Sequence, residues 1–149
     1  MEYKVGIRRE DINRWERRVP LVPEDARELS GSYPIRFTVQ PSDIRIFSDD
    51  DYRAAGINVA EDICPNRVIL ALKEVPIPLI QPGKAYVFFS HTGKGQAQNM
   101  PMLKKMMELG CTMIDYEKIV DDKGRRLLYF GNFAGHAGAV DTMWALGRR

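Results

Sequence analysis

Long apolar stretches, paired cysteines and histidine are all scarce in this chain of 149 residues, and each shortage excludes something. No segment approaches the ~18 consecutive apolar residues of a membrane-spanning helix, so no membrane partner is expected. The opening residues, Met-Glu-Tyr-Lys-Val-Gly-Ile, lack the apolar core of a signal peptide, which points to a cytoplasmic protein. Cys64 and Cys111 stand far apart with no second pair, excluding zinc spacing and a disulfide framework; both are expected to be plain buried thiols. Neither Gly-x-x-x-x-Gly-Lys-Ser/Thr nor Gly-x-Gly-x-x-Gly occurs, so no phosphate loop or dinucleotide turn is expected in this chain. A net charge of +2, from 22 basic and 20 acidic residues, is too small a surplus for a nucleic-acid binder. Metal ligands in any recognised spacing are missing as well.

What is present is an ordinary globular composition, 44% hydrophobic and 28% charged, enough for one domain with its own core. Lys4 to Ile7 reads as a strand. Pro23 with Glu24 and Asp25 opens a helix that Gly31 should end. Ile35 to Gln40 is a second strand. Ser48 caps a short helix over 49–55, closed by Gly56, and Ile57 to Ala60 follows as a minor strand. The runs at 68–72 and 85–90 are almost uninterruptedly apolar, the mark of strands covered on both faces. A helix between Gln96 and Leu109 offers Met100, Leu103, Met106 and Met107, and Cys111 to Ile114 is a further strand. Asp121-Asp122-Lys123-Gly124 makes a hairpin turn leading into Leu127 to Phe130. A helix rich in glycine and alanine spans 134–149. Strands alternating with helices predict an α/β domain with a mainly parallel, Rossmann-like sheet flanked by helices.

Parallel sheets bind ligands at the carboxyl ends of their strands. Reading past each strand gives Arg8-Arg9-Glu10, then Lys73-Glu74, then Ser90-His91, then Asp115-Tyr116-Glu117. Each of these groups alone also fits a solvated strand end or loop. Together Lys73, His91 and Glu117 make an acid–base set on one rim, because imidazole both takes and gives protons near neutrality and a desolvated lysine can join it. His136, in Gly-His-Ala-Gly, reads instead as a helix-end or interface residue.

Four stretches, "RREDINRWERRVPLVP" at 8–23, "FFSHTGKGQAQNM" at 88–100, "IDYEKIVDDKGRRLLYFG" at 114–131 and "AGHAG" at 134–138, resemble lysine–2-oxoglutarate reductase. That activity forms the N-terminal half of bifunctional aminoadipic semialdehyde synthase, in a superfamily with saccharopine dehydrogenases and alanine dehydrogenase. The resemblance covers nearly the whole chain. It implies reductive condensation of the lysine side-chain amine with 2-oxoglutarate to saccharopine, with hydride from NADP(H). It also implies Lys73 and His91 as the acid–base groups, Arg18 and Arg126 on substrate carboxylates, and Lys94, Glu117 and Glu74 as further substrate-side positions. Residues 1–149 are then one substrate-side domain, a fragment of a longer enzyme whose NADP-binding Rossmann domain follows; a homo-oligomer is allowed. The rival expectations are a saccharopine dehydrogenase or alanine dehydrogenase-like relative, and a free-standing amino-acid or keto-acid binding module without catalysis.

Overall fold

The computed structural model describes residues 2–148, which divide between Tyr116 and Glu117 into two compact units. The first unit holds a six-stranded sheet: β1 (Tyr3–Ile7), β2 (Ile35–Val39), β3 (Asn58–Val59), β4 (Val68–Leu70), β5 (Ala85–Phe88) and β6 (Thr112–Asp115). The spatial order is β3-β2-β1-β4-β5-β6 and every pair is parallel, so the strands all deliver their carboxyl ends to one edge. The expected mainly parallel sheet is therefore parallel throughout. β1 lies at its centre, with Ile7 in register with Val39 on one side and Leu70 on the other.

The uniformly apolar strand at 68–70 divides its side chains by the two-residue period of a strand. Ile69 joins one core cluster, with Tyr86, Phe88, Met102 and Met106; Val68 and Leu70 pack against the other, around Ile7, Phe37, Val39 and Tyr52. Burial on both faces is why no polar alternation was visible. The strand ends at Leu70 rather than at 72, yet hydrogen bonding to β5 continues through Ala71 N to Val87 O (3.0 Å) and Phe89 N to Leu72 O (3.1 Å).

Of the helices, α1 (Pro23–Ser32) begins with proline in its first turn and acids that complement the N-terminal dipole, as expected. It runs through Gly31, where nothing crowds the backbone, and closes with Tyr33 N–H on the Leu29 carbonyl. α2 (Asp49–Ala54) starts from a capping box: Ser48 Oγ accepts from Asp51 N–H, and the Asp51 carboxylate accepts from Ser48 N–H at 2.6 Å. In α3 (Met100–Glu108) the core-facing pair is Met102 and Met106, four residues apart; Met107 is exposed, correcting the expected face.

In the second unit, Asp121 organises the anticipated hairpin turn, accepting from the backbone of Lys123 and Arg125, with Gly124 at φ 75° where a side chain would be strained. Among the described residues one β-bridge, Val120 to Arg126, crosses it, flanked by Asp121 N–H on the Arg125 carbonyl and Leu127 N–H on the Ile119 carbonyl, and the apolar run 127–130 is not a strand. α4 (Gly131–Gly147) starts three residues earlier than expected, and Arg149 lies outside the described residues. The cysteines depart from expectation too: Cys64 is exposed and Cys111 half-buried. Among the described residues no helix is long and apolar enough to cross a membrane.

Tyr52 pins α2 to the sheet. It is fully buried, its hydroxyl donates to the Leu21 carbonyl at 2.6 Å, and the Arg45 guanidinium lies 4.4 Å from its ring centre. Burial pushes the phenol up to about 12 from 10.0, against the opposing charge of Arg45. A folded value above the unfolded one means a stabilising contribution fully present below pH 10 and lost as pH rises towards 12. Tyr52→Phe should therefore cost ~0.5–1.5 kcal/mol at neutral pH, the worth of one hydrogen bond, and lose less stability than the parent across the alkaline window. Urea melts at stepped pH would show it; parallel curves for the two proteins would count against it.

Candidate functional site at the carboxyl edge of the sheet

The chain leaving β1 supplies two buried carboxylates. Glu10 is 6% exposed and receives the backbone N–H of Leu72 at 2.6 Å and of Lys73 at 3.1 Å. Burial pushes its carboxyl above the usual range, the two N–H groups and the Arg8 charge pull it back, and Glu16 pushes it up again. Arg8, itself buried, bonds the Arg9 carbonyl at 2.8 Å and Asp11 at 2.5 Å. Glu16 is 7% exposed and is gripped by Arg18 through Nε (2.8 Å) and Nη2 (2.6 Å). That guanidinium holds Glu16 below the ordinary carboxylate range, with the charge of Lys73 acting in the same direction. Arg18 in turn feels both Glu16 and Glu10. Arg18 and Lys73, two of the expected site residues, thus lie in one electrostatic group with two carboxylates that the sequence had not singled out.

Lys73 and Glu74 follow β4, and both are half-buried. His91 follows β5, also half-buried, and is the one non-glycine among the described residues with positive φ, at 52°. This left-handed conformation is disfavoured by ~1–2 kcal/mol for a residue with a Cβ, so its neighbours must hold it. They do so through Ser90, fully buried, whose Oγ meets Asp115 Oδ2 at 2.5 Å and Thr92 Oγ1 at 2.7 Å and accepts from Thr92 N–H at 3.2 Å. Asn99 donates to the Ser90 carbonyl at 3.1 Å and to Glu74 at 3.2 Å. Tyr116, just past β6, lies edge-on to Phe89 with ring centres 5.0 Å apart. Its phenol is pushed up to about 12 by burial first and by the Glu10 charge second.

Lys94 is exposed in the short turn that follows His91. Beside Glu74 a groove of about 420 Å³ opens between Asp11, Pro76 and Met102. The remaining two expected residues belong to the second unit, where Arg126 Nη1 approaches Glu117 Oε1 at 3.4 Å across the base of the hairpin.

Glu10, Glu16, Ser90, Asn99, Asp115 and Tyr116 were missed as site residues. Four of them, Glu10, Ser90, Asp115 and Tyr116, lie at or within three residues of a strand's carboxyl end, which was the available signal; Glu16 and Asn99 carried none. The connection after β1 does not fit a dinucleotide: it carries the buried Glu10 and Glu16 where a pyrophosphate would need open backbone N–H groups. Among the described residues no group of three His, Cys, Asp or Glu could hold a metal ion.

Residues 6–137 match the family described as Alanine dehydrogenase/PNT, N-terminal domain. Alpha-aminoadipic semialdehyde synthase of Arabidopsis thaliana is 45% identical over 150 residues, covering 97% of this chain and 14% of that protein. The mitochondrial synthase of Bos taurus is 39% identical over 145 residues, covering 97% and 16%. Saccharopine dehydrogenase [NAD(+), L-lysine-forming] of Candida glabrata is 33% identical over 134 residues, covering 84% and 35%. In fold, the chain is similar to an L-alanine dehydrogenase at TM-score 0.67 and 21% identity, covering 81% of this chain and 34% of that one. A transhydrogenase from Sinorhizobium meliloti has TM-score 0.64 at 19% identity, covering 80% and 36%. The chain thus spans well under half the length of each relative. An all-parallel sheet of the same fold, with a family match over most of its residues, places this chain in the alanine dehydrogenase/PNT N-terminal domain family.

Proposed function

We propose that this chain is the substrate-side domain of an NADPH-dependent lysine–2-oxoglutarate reductase, joining lysine to 2-oxoglutarate as saccharopine. The observation that carries the reading is the placing of Lys73 and His91 at the ends of adjacent parallel strands, each backed by buried polar groups. The 45% identity to a plant aminoadipic semialdehyde synthase supports the choice of substrate class. Two free thiols suit a reducing, cytoplasmic setting.

The chemistry requires a neutral lysine ε-amine, which attacks the keto carbon of 2-oxoglutarate. The resulting carbinolamine loses water to an imine, and hydride addition at that carbon gives the secondary amine. His91 and Lys73 move the protons of the first two stages, accepting one from the attacking amine and giving one to the departing hydroxyl. NADPH, which we assign to a part of the longer enzyme outside this chain, would supply the hydride. Saccharopine carries three carboxylates, and bidentate guanidinium groups are the fitting partners, which assigns Arg18 and Arg126, with Lys94 as a further cation. In this structure the Arg18 fork is engaged by Glu16, so a substrate carboxylate must share or displace that partner. Glu74 and Glu117 are assigned to the substrate's ammonium groups. Running the same steps backwards releases lysine, and the 33% identity to a lysine-forming saccharopine dehydrogenase supports equivalent residues for that direction.

In the longer enzyme, His91→Gln and Lys73→Met should each lower kcat by ~10²–10⁴, the range for positioned acid–base groups. Steady-state turnover at saturating substrate is the test, and parental rates in both variants would remove the mechanism.

Arg18→Ala and Arg126→Ala should act on binding instead, raising KM for one substrate by the equivalent of ~2–5 kcal/mol where the charge pair is desolvated. Measuring KM for lysine and for 2-oxoglutarate separately assigns each arginine. Unchanged KM for both substrates would reject the carboxylate role.

A further inference from the structure

We propose that Asn99 is a positioning residue that clamps the Lys73 segment to the His91 segment, setting the geometry of the two proton-transfer groups. The inference rests on the acid–base reading of those two residues. Its basis is the place where the sheet stops. The last backbone hydrogen bond between β4 and β5, among the described residues, runs from Phe89 N–H to the Leu72 carbonyl. One residue further on, the two chains carry Lys73 and Ser90, then Glu74 and His91, with no ladder to hold them together. Asn99 spans that gap with its side chain. One amide nitrogen donates to Glu74 Oε1 at 3.2 Å and to the Ser90 carbonyl at 3.1 Å, so each N–H serves the neighbour of a different proton-transfer group. Both partners are acceptors, which settles which end of the amide is nitrogen.

A second observation points the same way. Asn99 immediately precedes α3, where asparagine ordinarily turns its side chain onto the helix's own first N–H groups, yet here it makes no cap. The short turn at Ala97–Asn99, closed by Asn99 N–H on the Gln96 carbonyl, instead aims the amide inward, and the residue is 9% exposed. A cap is given up and a crosslink between two strand ends is gained.

The clamp also accounts for the left-handed backbone at His91. Ser90 is held by its side chain from β6, through Asp115, and by its carbonyl from Asn99. Fixing Ser90 at both ends leaves His91 little freedom to relax from φ 52°.

The test uses the chain as it stands. Asn99→Leu keeps the branching and heavy-atom count of the side chain and deletes both donors; Asn99→Asp keeps the shape and faces two acceptors with a third. In isotope-labelled protein, the backbone coupling constant and α- and β-carbon shifts of His91 report its φ directly. Both variants should melt cooperatively and leave resonances of β1 to β3 in place, while His91 loses its left-handed signature. Should Asn99→Leu not fold, Asn99→Asp gives the same reading. In the longer enzyme either variant should lower kcat by ~10²-fold, the cost of misplacing reacting groups by about 1 Å, with KM unchanged. A left-handed His91 retained in both variants overturns the clamp, and so does a loss of signal spread across the whole sheet, which would mark simple packing. Parental turnover in His91→Gln and Lys73→Met, with His91 still relaxing in the Asn99 variants, would remove the acid–base reading and leave the clamp standing.

Discussion

A buried carboxylate accepting two backbone N–H groups is the contact on which the rest of the site depends. β4 stops pairing with β1 once Arg8 N–H has met the Leu70 carbonyl, and beyond that point the N–H groups of Leu72 and Lys73 find no backbone partner among the described residues. Left unpaired, their N–H groups would carry the cost of buried donors. Glu10 receives both. Its own desolvation is the larger electrostatic effect, partly offset by those two bonds and by Arg8. The arrangement fixes the direction in which Lys73 leaves the strand, and with it the reach of Glu74 to Asn99.

From that contact the rim reads as two linked halves. On one side stand Glu10, Glu16, Arg18 and Lys73, alternating in charge so that each buried group has a partner of opposite sign. On the other, Ser90, Thr92 and Asp115 form a neutral-to-acidic network under a histidine held in a conformation it would not choose. Asn99 bridges them. Such a rim combines a hydrogen-bonded backbone with the half-buried Lys73 and His91, which is what the proposed proton transfer would need.

The sheet was legible because burial on both faces leaves a continuous apolar run, as at 68–70 and 85–88, and because Pro23 and Ser48 act within one turn of themselves. The strand-end positions of Lys73 and His91 were legible for a related reason: Lys73 is the first polar residue after one such run, and His91 follows Ser90 after the other. The supporting groups were not. Glu10 meets a backbone 62 residues away and Asp115 a hydroxyl 25 residues away, separations that no local pattern encodes. Glu16 and Arg18 grip each other two residues apart in a segment without regular structure, where no periodicity exists to betray them. The left-handed turn at His91 was hidden by its glycine neighbours, which normally take that conformation, and Gly95 does so four residues later. The face of α3 was misjudged because Met102 and Met106, one full turn apart, compete with equally apolar neighbours on a methionine-rich helix.

Amide hydrogen exchange in Glu10→Ala tests the governing contact most directly. Leu72 and Lys73 should lose most of their protection, while Ala71, bonded to Val87 on the other side of the strand, keeps its own. Protection surviving at Leu72 and Lys73 would contradict the account, because their N–H groups would then depend on something other than the Glu10 carboxylate.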